Sequence, residues 1–216
     1  MSPAVLVLSV LALVSAALHI PAEYGGPRWR VYVFKPLTTT LILAIGCLAA
    51  ASVEPRYQWA IVVGLVFSLA GDVFLMLPGD RFIAGLVAFL LAHIAYIVAF
   101  TTGAPLGSAP WLLLPVAVVA AVILRVLWPG LGRLKVPVTI YVIVIVVMTW
   151  TALARASALT SPATLLAAVG AMLFLASDAI LALNRFGKPF RAGRALNLAT
   201  YFAGQWLIAL SVALGL

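Results

Sequence analysis

Two aspartates stand where aspartate is least at home. Asp72 and Asp178 fall inside long apolar runs, whereas Glu23, Glu54 and Asp80 fall in connections that water can reach. An aspartate within a membrane span costs about 2.5–3.5 kcal/mol on insertion scales, and such residues face a cavity or a partner rather than lipid. Two carboxyls whose surroundings separate their proton affinities can divide acid and base roles, so the pair is a candidate for general acid–base chemistry. Other polar groups lie at matching depth. Lys35 precedes Thr38 and Thr39 by one helical turn, His93 precedes Tyr96, and Asn184 and Arg185 close the run that holds Asp178. Asn197, Tyr201 and Gln205 recur every four residues, which places them on one helical face. Together these residues are expected to line one polar pocket. Each also has a structural reading: Asp72 paired with Lys35, Asp178 neutralised by Arg185, His93 as a hydrogen-bonded packing residue, Asn197 and Gln205 bonding between helices.

The elements that must carry these residues are helices. Of 216 residues, 66% are hydrophobic and 8% charged, against about a quarter charged in a soluble domain, too few to cover a water-facing surface. A helical span needs about 20 mainly apolar residues. Such runs occur at about 3–21, 33–52, 57–77, 83–101, 110–128, 136–154, 163–183 and 195–215. Breakers such as Gly25-Gly26-Pro27, Glu54-Pro55-Arg56, Pro129-Gly130 and Gly187-Lys188-Pro189 separate them. The runs do not alternate polar with apolar residues as barrel strands do. The expectation is an all-α, polytopic integral membrane protein forming a single transmembrane domain of eight helices. The first run lacks a basic leader and a small-residue cleavage site, so it reads as a retained span. The single cysteine, Cys47, allows neither an intrachain disulfide nor a thiolate metal site.

Eleven Lys and Arg residues flank the connections after spans one, three, five and seven; only Arg56 and Arg155 lie on the other side. That bias places the basic loops in the cytoplasm and both termini outward, in a bacterium across the plasma (inner) membrane. It also accounts for the net charge of +8 without a nucleic-acid partner, for which no basic tail or binding motif is present. Asp72 and Asp178 then sit about five residues, roughly 7–8 Å at 1.5 Å per residue, from the cytoplasmic ends of their spans. An internal repeat is suggested by Lys35-Pro36-Leu37-Thr38 opening span two and Lys135-Val136-Pro137-Val138-Thr139 opening span six, with Gly71-Asp72 and Ser177-Asp178 late in spans three and seven. It would relate two parallel four-helix halves, with a site at their interface.

Lys35 through Thr38, the stretch from Ser68 to Leu77, Phe82, Gly85, Phe89, His93 and Tyr96, and then Ser177-Asp178, Arg185-Phe186, Tyr201 and Gln205 resemble the YhhN family of membrane proteins, which includes the animal lysoplasmalogenases. The likeness runs from about residue 33 to 211, in the same order and spacing. It implies hydrolysis of the vinyl ether bond of a single-chain ether phospholipid, giving a fatty aldehyde and glycerophosphoethanolamine or glycerophosphocholine, with no metal or organic cofactor. On that reading Asp72 and Asp178 share the acid and water-activating roles, and His93 or Tyr96 relays a proton or orients water. Lys35, Thr38, Asn184, Arg185, Asn197, Tyr201 and Gln205 line the substrate pocket, with Lys35 and Arg185 at the phosphate. Two other classes stay open. A small-molecule or lipid transporter could use proton-binding aspartates. An intramembrane aspartyl protease fits less well, because its Gly-x-Gly-Asp element meets Leu69-Ala70-Gly71-Asp72 here. Oligomeric state is not encoded in any of these features.

Overall fold

The structure is a computed structural model that describes residues 1–104 and 106–215; Pro105, inside the expected break at 103–110, and Leu216 lie outside the described residues. Its helices are α1 (Pro3–Ala22), α2 (Trp29–Cys47), α3 (Pro55–Met76), α4 (Phe82–Phe100), α5 (Leu113–Leu127), α6 (Lys135–Leu159), α7 (Pro162–Phe186) and α8 (Gly193–Leu214). With the short turns that extend α5 and α6, eight helical segments are long and apolar enough to cross a bilayer. Large apolar side chains face outward, with Leu13, Leu114 and Val136 all about 70% exposed. Such a surface is soluble in lipid and not in water.

Local chemistry sets the helix ends. Pro55 and Pro162 occupy first turns, where the missing N–H removes nothing that the helix uses. Ser161 and Thr164 form a reciprocal capping box. Two helices depart from the expected spans. Helix α2 starts earlier, at Trp29, and stops at Cys47 instead of about residue 52. There the Gln58 side chain donates to the Cys47 carbonyl at 3.1 Å, and the next loop ties to α8 through Ala50 N–H and the Val212 carbonyl. Helix α6 continues to Leu159, ending on Thr160 in the left-handed region.

Six helices pack as a closed ring in the order α2, α3, α4, α6, α7, α8, with α8 returning to α2. Helix α1 lies outside the ring against α2 and α8, and α5 lies outside against α6. The ring is tight where glycines permit it. A Cβ on Gly170 of α7 would stand 2.7 Å from the Gly204 carbonyl oxygen of α8, and one on Gly71 of α3 would stand 2.6 Å from the Phe89 ring of α4. Aromatic side chains fill the middle: Phe89, His93 and Tyr96 from α4, Phe174 from α7 and Tyr201 from α8 are all buried, with Phe174 in edge contact with each of the other four.

Candidate active site

Asp72 sits one turn before the end of α3, 1% exposed. Its Oδ2 accepts from Thr39 Oγ1 at 2.6 Å and from the Tyr201 hydroxyl at 2.8 Å. Lys35 Nζ lies 3.5 Å from Oδ1. Lys35 and Thr39 are four residues apart on α2 and so share a face. A carboxylate taken out of water needs such donors, because unpaired burial of a charge is strongly unfavourable. The structural pairing of Asp72 with Lys35 is therefore present, and Thr39, not Thr38, completes it.

Asp178 has a different set of partners. The Tyr141 hydroxyl of α6 donates to its Oδ2 at 2.5 Å, and His93 Nε2 of α4 lies 3.3 Å from the same oxygen and 2.9 Å from the Tyr141 hydroxyl. Oδ1 has no described hydrogen bond. The Asp178 side chain is 15% exposed, and the His93 ring is fully buried with Nδ1 unpartnered. Asp178 and Tyr141 border an otherwise apolar cleft of about 70 Å³ formed with Phe82, Leu86, Phe89 and Phe186. A larger hollow of about 610 Å³ lies between α1, α2 and α8, but no acidic, basic or histidine side chain lines it. Of these two, the first cleft is the one that presents a proton donor.

The expectation of one hollow shared by both aspartates needs correction. Asp72 does not line the cleft that Asp178 lines, and among the described residues the two share no hydrogen-bond partner. The Phe174 ring touches a member of each network, its centroid 4.7 Å from His93 and 5.4 Å from Tyr201. Asp178 is not neutralised by Arg185 either: Arg185 pairs with Asp80 at 2.7 Å.

The remaining expected residues scatter. Tyr96 donates to Gln205 Oε1 at 2.6 Å, joining α4 to α8 inside the ring. Thr38 turns toward α1, donating to Ser15 Oγ and the Phe34 carbonyl. Asn197 donates to the Ser177 carbonyl and hydroxyl, a bridge between α8 and α7. Asn184 donates to the Ile180 carbonyl and accepts from Phe190 N–H, fastening the connection after α7. Tyr141 was not foreseen, because a tyrosine in an apolar run reads as packing. Asp72 of α3 takes its partners from α2 and α8, whereas Asp178 of α7 takes Tyr141 from α6 and His93 from α4. Among the described residues no three His, Cys, Asp or Glu side chains gather as a metal would require.

Fold and site together define a polytopic helical membrane protein with two separate carboxylate networks inside its helix ring. The chain belongs to the YhhN family, whose model matches residues 30–212. It is 32% identical over 210 residues to the uncharacterized membrane protein YhhN of Escherichia coli O6:H1, covering 95% of this chain and 98% of that one. It is 38% identical over 156 residues to lysoplasmalogenase TMEM86A of Bos taurus, covering 70% of this chain and 64% of the relative. To lysoplasmalogenase TMEM86B of Sus scrofa it is 32% identical over 199 residues, covering 91% and 80%. No solved structure matches the chain.

Proposed function

We propose that this protein hydrolyses the vinyl ether bond of a single-chain ether phospholipid, with Asp178 as the group that moves the proton. One observation carries the reading: a membrane-embedded carboxyl, held by Tyr141 and His93, borders an apolar cleft. Relatives named lysoplasmalogenase support it. An enol ether breaks down when a carboxylic acid protonates its β-carbon, leaving an oxocarbenium ion. Water then adds to the carbon bearing the ether oxygen, passing a proton to the carboxylate just formed. The hemiacetal collapses, its C–O bond to glycerol breaks, and aldehyde and alcohol leave. The carboxyl ends protonated again, so the balance needs only water. Retaining glycosidases reuse one carboxyl as acid and then base around a similar cation. In this scheme His93 and Tyr141 orient Asp178. Asp72 keeps its place in the expected pair at one remove, fixing Tyr201 and, through it, the Phe174 ring.

The basic loops face the cytoplasm on this reading, and lipid enters from that leaflet. The test is aldehyde release from lysoplasmalogen by purified protein, read by mass spectrometry. Asp178→Asn should lower turnover at least about a hundredfold, the scale of general acid–base catalysis, with unchanged membrane insertion; full activity in that variant removes Asp178 from the chemistry. The buried Lys35–Asp72 pair also suits a proton- or cation-coupled transporter. Turnover in detergent, where no compartments exist, separates the two.

A further inference from the structure

The Asp178 cleft is too small for the lipid assigned to it. Its volume of about 70 Å³ is under half that of an engineered cavity, about 150 Å³, that accepts a single benzene ring. An alkenyl chain lies wholly inside it only if its walls part. Phe82 of α4 and Phe186 of α7 both line the cleft and meet edge to face with centroids 5.5 Å apart. Phe82 opens its helix and Phe186 ends its own, so this seam lies at the end of the bundle that carries the basic loops. One side chain lies across it. The Arg185 guanidinium lies 4.1 Å over the Phe82 ring and 5.8 Å from Phe186, and its Nη2 donates to both carboxylate oxygens of Asp80, at 2.7 and 2.9 Å.

Asp80 is presented from the connection between α3 and α4 at φ +40°, in the left-handed region that few non-glycine residues enter. In this pair only Nη2 is engaged, and Arg185 is 36% exposed. Guanidinium N–H groups bind carboxylate and phosphate oxygens alike. Asp80 holds one nitrogen of Arg185 and leaves the rest of the fork free for a phosphate. An exposed ion pair of this kind is a weak latch, within reach of a competing phosphodiester.

We propose that Arg185 is the headgroup site of the cleft and that Asp80 is its built-in competitor. A phosphodiester arriving at the mouth draws the guanidinium from Asp80, the Phe82–Phe186 seam loosens, and the attached chain enters toward Asp178. Single-chain phospholipids open the cleft; uncharged glycerol ethers of the same chain length do not. Asp80 thus sets specificity without touching the reacting bond. Such a headgroup site deepens the hydrolase reading and rests on it only for the chemistry after lipid entry.

Binding tests it independently of turnover. Lysophosphatidylcholine and a monoalkylglycerol of equal chain length, each with a photoreactive chain, are titrated against the whole protein in nanodiscs. Crosslinks are mapped to the cleft. The wild type should capture the phospholipid at least about tenfold more tightly, the worth of one charge-assisted hydrogen bond. Asp80→Asn should raise monoalkylglycerol capture while phospholipid capture holds or tightens. Arg185→Gln should bring the phospholipid down to the level of the monoalkylglycerol. Chainless glycerophosphocholine and inorganic phosphate should compete poorly; if either competes as well as the lipid, the site takes free phosphate and the lipid assignment fails. An unchanged capture ratio in both variants overturns the proposal, as does equal loss of both lipids in Arg185→Gln. Failure to release aldehyde would overturn the chemistry at Asp178 and leave the headgroup result standing.

Discussion

Lys35 and Asp72 are both withdrawn from water, with side chains 10% and 1% exposed, and each is the other's countercharge. Removing one partner leaves a buried ion, which costs about 3–5 kcal/mol, whereas replacing both by groups of similar shape is often neutral. Asp72→Asn and Lys35→Met should each lower thermal stability in detergent, and the double variant should recover most of the loss. Additive losses in the double variant would show that the two side chains act separately. Asp178 differs because its partners are a phenol and an imidazole, not a fixed cation. The same residue type is thus held as half of an ion pair near the end of α3 and left beside a cleft a turn deeper in α7. Arg155 is a third buried charge, 2% exposed at the end of the ring away from the basic loops. Its Nε donates to the Thr102 carbonyl and its guanidinium lies 4.3 Å over the Tyr57 ring, so an aromatic face and a backbone dipole stand where a carboxylate would be expected.

Helices α7 and α8 approach through Gly170 and Gly204, and the Phe174 and Tyr201 rings meet across the same helix pair. Gly170→Ala would set a Cβ 2.7 Å from a backbone oxygen and 3.1 Å from the Ile208 nitrogen, atoms that cannot move without moving α8. The variant should lose about 1–3 kcal/mol, the usual cost of overpacking, and should lose activity with it. Gly25→Ala is the matched control, since a Cβ there meets nothing within 4 Å; a melting temperature that falls equally in both would remove close packing as the cause. The helices themselves were legible from apolar run length and from prolines at helix starts. Their limits were less so. Helix α2 stops at Cys47 because a glutamine eleven residues on caps it, and nothing in the run from Gly46 to Ala51 announces that.

Across the molecule, the connections after α1, α3, α5 and α7 gather at one end: Arg185 of α7 reaches Asp80 beyond α3, and Arg194 of α8 donates to the Glu23 carbonyl beyond α1. The proposed topology puts that end in the cytoplasm. On a Cys47→Ser background, which removes the single exposed thiol, Ser52→Cys should react with a membrane-impermeant maleimide in intact cells. Lys188→Cys should react only after permeabilisation. The reverse pattern would invert the protein and move the cleft mouth to the other leaflet. Helices α1 and α5, outside the ring, are the two spans least buried within the molecule.

From sequence alone came the membrane class, the eight helices, the candidate acids and most of the polar residues, because insertion into lipid penalises each such residue one at a time and so marks it in a linear scan. Which residue meets which was settled only by folding. Thr39 in place of Thr38, Tyr141 on Asp178, Asp80 on Arg185 and the Phe174 contacts all depend on how helices rotate and cross. That is fixed by contacts between residues far apart in the chain, such as Gly170 against Gly204, whose spacing along the sequence carries no periodic signal.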